Sequence, residues 1–540
     1  MKRKGVLLIA LLILVFPLWA GGQRSSGAAA GGGRAIDYNR TSPEPLTLPI
    51  VTTPITLTMF TSLSERVAAS LSSYSEMLSF QELAKRTGIT IDFRLTPEGQ
   101  QNIEQFNLML AANDMTDIIY YGWSTFPGGP GRAIDDDIIV DHAPLVRGYA
   151  PNFTALMREF DEIRRDSMTD DSQIYNMPFL KTAPEDRAVG QFHIRQDWLD
   201  KVGLPRPTTM DEWYTVLTAF KKLGPDIIPF ISVPQGNIHG VERFSYAWGF
   251  PTNFYIDNRQ VKYGPAQPDY KTFLLTMAKW YREGLIDPDF LTTDRRTHDA
   301  HITSGKAGAY YGLLNGFMGT YIRVMETIDP QFDLRGTLNP RAPDGKMYDF
   351  YVDDVAIVQG SGMAISTKNK YPVESIKWLD YWYYEDGRVL MNLGIEGITY
   401  TVNNGVYRYT EEILNNPDGL PLADAISKYT PVSGCRIFQD TRYFQQMVDH
   451  PNQREAITLL TQATVERAMR PLSPSSDESA RLARIVNEMD TYRRERFARF
   501  VLGQEDIEAN WNNYISTLNS MGLQEAIEIN QRALERYYRR

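Results

Sequence analysis

The chain has 540 residues, enough for two sizeable cores, and a balance of 43% hydrophobic and 23% charged residues that excludes disorder throughout. Its net charge of -10, from 56 basic and 66 acidic residues, argues against nucleic acid or an anionic membrane as main partner, because both reward a concentrated basic surface. Many of the 30 Tyr and 9 Trp belong in a core, and such a supply also suits a site that stacks on ligand faces.

Residues 1–20 read as a secretory signal peptide. Lys2, Arg3 and Lys4 precede an apolar run over 6–16, and Ala20 offers a small residue for cleavage before Gly21. That run is short for a membrane span. Gly21 stands where a lipid-anchored protein carries Cys, and the single Cys435 lies far away. The expectation is a periplasmic protein with neither lipid anchor nor disulfide. Residues 21–50, rich in Gly, Ala, Ser and Pro, read as a flexible leader.

Order is predicted from an alternating strand over 55–60. A helix capped at Gly88 follows, then a strand over 89–95, a helix around 104–110 and a third strand over 117–121. Strands alternating with helices predict a covered parallel sheet, and ligands bind such sheets beyond the carboxyl ends of the strands. That marks the loops after Phe60 and Tyr121. Thr209 and Glu212 form a capping box opening a helix with Trp213, Val216, Leu217 and Phe220 on one face. Near the end Ile507, Trp511, Ile515 and Leu518 share a helical face, Gly522 interrupts, and 526–537 forms a last helix. The fold class is α/β with a helical C-terminal portion.

Several stretches then line up with one family. They are Asn107-Leu108-Met109-Leu110-Ala111-Ala112-Asn113-Asp114-Met115-Thr116-Asp117-Ile118-Ile119, Tyr149-Ala150-Pro151-Asn152, Ile174-Tyr175-Asn176-Met177-Pro178, and Ile194-Arg195-Gln196-Asp197-Trp198-Leu199-Asp200-Lys201-Val202-Gly203-Leu204 with Pro207-Thr208-Thr209. Gly394-Ile395-Glu396-Gly397-Ile398-Thr399-Tyr400 and Phe500-Val501-Leu502-Gly503 complete the set. In this order, from about residue 55 onward, the chain resembles the extracellular solute-binding proteins (family 1) of carbohydrate ABC transporters, and is similar to the larger oligosaccharide- and alginate-oligosaccharide-binding members. It departs at Asn113 and Thr116, where Gly and Pro are usual. Some relatives carry a calcium loop after the helix that here ends at Lys222; residues 223–228 lack it, so no calcium is carried over.

The resemblance implies a type II periplasmic-binding fold: two lobes of discontinuous chain, a hinge and a central ligand cleft. Lobe 1 would take 51–195 and 358–410, lobe 2 196–357 and 411–540. It further implies a monomer that captures a carbohydrate without cofactor or metal and delivers it to permease subunits of an ABC transporter.

A sugar offers hydroxyls for directional hydrogen bonds and apolar faces that lie on rings, so its site mixes carboxylates, amides and Arg with Trp and Tyr. Tyr121 and Trp123 follow the third strand; Ser62, Ser64 and Glu65 follow the first. The resemblance places Trp248, with Tyr255 nearby, on the second lobe's wall. Alternation points one of Tyr310 and Tyr311 into the cleft and the other into the core. Arg195 and Asp197 stand near the first crossing between lobes and Asp353, with Asp354, before the second; each is a sugar contact or a hinge ion pair. Met363 falls where some relatives hold Trp, and Glu396 sits between two glycines that allow close approach.

Two rival readings remain. One is a secreted glycoside hydrolase or lyase using Glu396 with Asp353 or Asp354; the other is a receptor for peptides or another non-sugar solute. The sequence has no G-x-S-x-G elbow, P-loop or H-E-x-x-H motif. His298 and His301 read as a solvated face and Asp135-Asp136-Asp137 as a surface turn, so neither a catalytic residue nor a metal ligand is assigned.

Overall fold

The computed structural model describes residues 38–187, 190–232, 234–235, 238–350, 356–448 and 450–540. The signal peptide, the first part of the leader and Asp353 lie outside them.

The chain lays down four strands, β1 (Ile55–Leu63), β2 (Ile89–Pro97), β3 (Ile118–Tyr121) and β4 (Met177–Leu180), and then crosses to a second set. There β5 (Gly190–Arg195) and β6 (Ile228–Ile231) precede two short pairs, β7 (Pro234–Gln235) with β8 (Ile238–His239) and β9 (Phe254–Asp257) with β10 (Gln260–Tyr263). After β11 (Ala307–Leu313) and β12 (Leu334–Thr337) the chain returns as β13 (Val358–Ile365) and adds a hairpin, β14 (Tyr400–Asn403) with β15 (Val406–Tyr409). The first sheet has the order β2-β1-β3-β13-β4 and the second β12-β5-β11-β6. β1 runs parallel to β2 and β3, while the returning β13 enters antiparallel between β3 and β4.

Local chemistry explains these elements. Residues 89 and 91 of β2 point inward and 90 and 92 outward, the alternation of a half-covered strand. The helix before it, Leu78–Thr87, ends on Gly88 at φ 78°, and a Cβ there would sit 2.5 Å from the Val51 carbonyl oxygen. Only glycine fits both the turn and that approach. Thr209 and Glu212 make the predicted capping box, and the helix it opens buries Trp213, Val216, Leu217 and Phe220.

That helix shares one core with the C-terminal helices Ile507–Ser520 and Leu523–Tyr537. A further helix, Ser476–Val501, escapes the reading from sequence, although Ser475 and Glu478 give it a capping box. It packs on the helix Pro268–Arg282 and buries Phe497, Phe500 and Arg493.

Two expectations change. Residues 38–50 are not a free leader: Tyr38 is buried, its carbonyl accepts from Arg158 Nε at 3.0 Å, and Ile50 N–H donates to the Thr87 carbonyl at 2.9 Å. A buried ring and paired backbone groups offset the flexibility that the composition suggests. β5, placed with lobe 1 by the resemblance, pairs with β11 and β12 in the second sheet, so the chain leaves the first sheet between Leu180 and Gly190.

Candidate functional site

The parallel register of β1 with β2, from Ile55 opposite Ile89 to Leu63 opposite Pro97, brings their carboxyl ends out together. Ser64 caps a short helix there and Glu65 is exposed at its start. Tyr74 locks this corner: its hydroxyl donates to the Ser62 carbonyl at 3.0 Å and accepts from Ser64 N–H at 3.2 Å. Partial burial and the like charge of Glu65 hold the carboxyl of Glu98, just after β2, above the usual range.

Three passes of the chain lie side by side beyond these strands. Lys181 N–H donates to the Ile357 carbonyl at 3.0 Å, Leu180 N–H to Ile437 at 3.0 Å, and Gln439 N–H to Leu180 at 2.9 Å. On this floor the Arg436 guanidinium lies 4.7 Å from the centre of the Phe179 ring and the Lys181 ammonium 5.9 Å from it. Tyr120 and Ser361 share a hydrogen bond of 3.2 Å, and Trp123 Nε1 donates to the Gly362 carbonyl at 3.2 Å. Asp186 accepts from Thr441 Oγ1 at 2.8 Å, and burial pushes its carboxyl up to about 7.

Beyond the floor the second sheet contributes a cationic aromatic cluster. The turn Gly240–Trp248 starts against β11, where a Cβ on Gly240 would lie 3.2 Å from the Tyr311 Cβ. This seats the buried Arg243 guanidinium 4.8 Å over the Tyr311 ring, with Nη1 donating to the Tyr246 hydroxyl. Asp349 adds to the field that keeps Arg243 charged despite burial. A cavity of about 180 Å³ beside Asp349 is lined by Pro184, Arg187, Leu460, Thr461 and Val465. A larger cavity of about 460 Å³ opens where the loop after β3, from Ser124 to Pro130, meets Phe254, Met469, Arg470, Leu482 and Val486, within the size range of small-ligand sites.

The structure disperses the residues singled out from sequence. Ser62, Glu65 and Tyr121 gather at the strand ends, with Tyr121 half-buried and stacked on Phe106 at 3.9 Å. Trp123 is fully buried in the core behind them. Met363 is equally buried, between Tyr120 and Met177 in the centre of the sheet. Tyr310 and Tyr311 do face opposite ways, but both are sealed. Tyr310 packs on His193 and Phe317, Tyr311 on Phe192 under Arg243.

Arg195 and Asp197 form an ion pair of 2.6 Å, with the guanidinium between the Trp198 and Phe332 rings. They sit at the far end of β5 from Gly190, roughly 17 Å from where the chain enters the strand. Trp248 is half-buried edge-on to Phe273, and Tyr255 is buried against Phe350. Glu396 is exposed on a turn between Gly394 at φ 90° and Gly397 at φ 80°. Reading the sequence missed Phe179, Lys181, Arg243, Tyr246, Asp349 and Arg436.

Among the described residues no helix is long and apolar enough to cross a membrane. The architecture of two sheets with an exchanged strand defines a two-lobed α/β receptor with a hinge and a central cleft, the type II periplasmic-binding fold. Residues 72–388 match the family model for bacterial extracellular solute-binding protein, and the chain belongs to that family.

The chain is similar to two curated relatives and, in fold, to a solved structure. The chain is 25% identical over 497 residues to the fructooligosaccharide ABC transporter substrate-binding protein FusA of Streptococcus pneumoniae, covering 86% of this chain and 87% of FusA. It is 25% identical over 408 residues to lipoprotein LipO of Bacillus subtilis, covering 71% and 76%. The structure of alginate-binding protein AlgQ2 without calcium ion superposes with a TM-score of 0.72 at 24% identity, over 90% of this chain and 99% of that one.

Proposed function

We propose that this protein captures an oligosaccharide between its two lobes and delivers it, intact, to the permease subunits of an ABC transporter. It works as a monomer in the periplasm after a signal peptide over 1–20 is removed. The observation that supports this most is the 86% coverage of the chain by its likeness to FusA, a substrate-binding protein for fructooligosaccharide. The chemistry of the floor agrees: Phe179, Lys181 and Arg436 join Tyr120 and Ser361 where the chain crosses between sheets, the mixture of rings and donors that a sugar requires.

In this reading lobe 1 is built on the first sheet and lobe 2 on the second, and the chain passes from one to the other after Leu180, after Thr337 and after Gln439. Ser62, Glu65 and Tyr121 stand on one wall and Trp248 on the other. The closed form binds the solute on both walls, and that difference in affinity drives closure. Thermal unfolding of the mature protein against neutral and acidic oligosaccharides and peptides tests the proposal, with each hit assayed for cleavage overnight. A rise in Tm with an intact sugar supports it. A cleaved sugar, or a rise with peptides alone, overturns it.

A further inference from the structure

We infer that the solute carries a carboxylate, as a uronic acid residue does, and that Arg436 on the Phe179 ring is the group that receives it. The inference rests on the reading of the crossing segments as the solute site and narrows its substrate class.

The geometry that points to it is an arginine with no counter-charge. Arg436 is half-buried, its Nη1 is enclosed without a hydrogen-bond partner, and no carboxylate among the described residues lies within ion-pair distance. Three other enclosed arginines of this chain have a carboxylate partner. Arg442, six residues on, is held by Asp440 and Glu385 at 2.6 and 2.7 Å. Arg195 has Asp197 at 2.6 Å, and Arg493 has Glu242 and Asp490. A guanidinium drawn from water without an acceptor is costly, and stacking on one ring face offsets only part of that cost. The Lys181 ammonium on the same ring deepens the positive potential there.

Arginine also differs from lysine in what it selects. Its planar fork offers two parallel N–H groups that match both oxygens of a carboxylate, whereas a sugar hydroxyl accepts from one and leaves the other unmet. The position is fixed by backbone: the Ile437 carbonyl accepts from Leu180 N–H, so Arg436 and Phe179 are held on adjacent chain passes. Tyr120 and Ser361, which hydrogen-bond each other at 3.2 Å, lie close enough to Arg436 for its charge to act on the Tyr120 phenol and supply hydroxyl partners for the rest of a sugar ring.

The test compares probes that differ only in charge. Tri-galacturonate, tri-mannuronate and tri-glucuronate are each titrated beside their methyl esters, with fructo- and xylo-oligosaccharides and acidic tripeptides as further arms, on wild type, Arg436→Gln and Arg436→Lys. We expect one acid to bind at least ~30-fold more tightly than its ester, and Arg436→Gln to lose that margin. Arg436→Lys should keep a smaller part of it, and added salt should weaken the acid and not the ester.

The unliganded Arg436→Gln protein should melt no lower than wild type, because an unmatched charge is removed; a Tm lower by several degrees would make Arg436 structural and sink the inference. A neutral sugar bound equally by wild type and Arg436→Gln overturns the inference and leaves the receptor standing. Arg436-dependent capture of a tripeptide keeps the carboxylate and overturns the sugar. Binding of nothing in the panel by wild type counts against both.

Discussion

Arg493 donates through Nη1 to the Glu242 carboxylate in the core of the second lobe, and the two side chains are 2% and 1% exposed. The pair ties the helix Ser476–Val501 to the turn that carries Arg243. Breaking one side leaves a charge stranded in the interior. Arg493→Met, which leaves Glu242 without its partner, should lower stability by about 3–5 kcal/mol in urea unfolding. Arg493→Met with Glu242→Met should recover much of that loss, because the cost comes from the unpaired survivor.

Gly434 is the second lever. A Cβ there would lie 2.1 Å from the Tyr74 hydroxyl, the group that holds Ser62 and Ser64. Gly434→Ala should therefore displace Tyr74 and cost about 1–3 kcal/mol. Gly434→Ala with Tyr74→Phe should be less destabilised than additivity allows, because the nearest of the three colliding atoms is gone.

Stability should also carry a pH signature at Asp166. Burial pushes this carboxyl up to about 7, and Tyr537 Oη donates to it at 2.7 Å, with Glu162, Arg470, Arg540 and Tyr175 around it. The unfolded carboxyl titrates near ~3.9, so the folded chain binds this proton more tightly. Its contribution is whole below pH ~4 and is lost as pH rises through 7, a decline on the order of 4 kcal/mol. Urea unfolding at pH 5 and pH 8 should show Asp166→Asn losing less stability than wild type across that interval. Equal slopes would remove Asp166 as the cause.

Tyr121 and Trp123 should separate binding from stability. Trp123→Ala empties a sealed core position and should cost about 3–5 kcal/mol. Tyr121→Ala, at a half-buried ring on the strand-end face, should cost less and weaken solute binding more. Calorimetry of both variants with the solute found by thermal shift checks the split.

Much of the scaffold was legible because its signals are local. Alternation in β2, the Gly88 cap and the Thr209–Glu212 box each depend on a few neighbouring residues. The site was less so. Position after a strand marks Tyr121 and Trp123 alike, yet the Trp123 indole reaches back to a carbonyl in β13, 239 residues away, and only the folded chain shows it. Phe179, Lys181 and Arg436 belong to the crossing passes, which have no period to read. Their one local hint is a single basic residue in each pass, Lys181 after Phe179-Leu180 and Arg436 after Cys435. Tyr38 defeated composition because one anchored ring outweighs a Gly-rich preface.

The last helix, Leu523–Tyr537, belongs by its core to the second lobe, but its end is moored elsewhere. Tyr537 holds Asp166, Arg536 and Arg540 hold Asp170, and Arg164 donates to the Arg540 carbonyl at 3.0 Å. Asp166 and Asp170 follow Pro151–Glu159 on the first lobe's side of the molecule. The tail is thus a strap across the joint. While it stays fastened, the tail limits how far the two lobes can swing apart, and closure on a solute forfeits less orientational freedom than two loosely strung halves would.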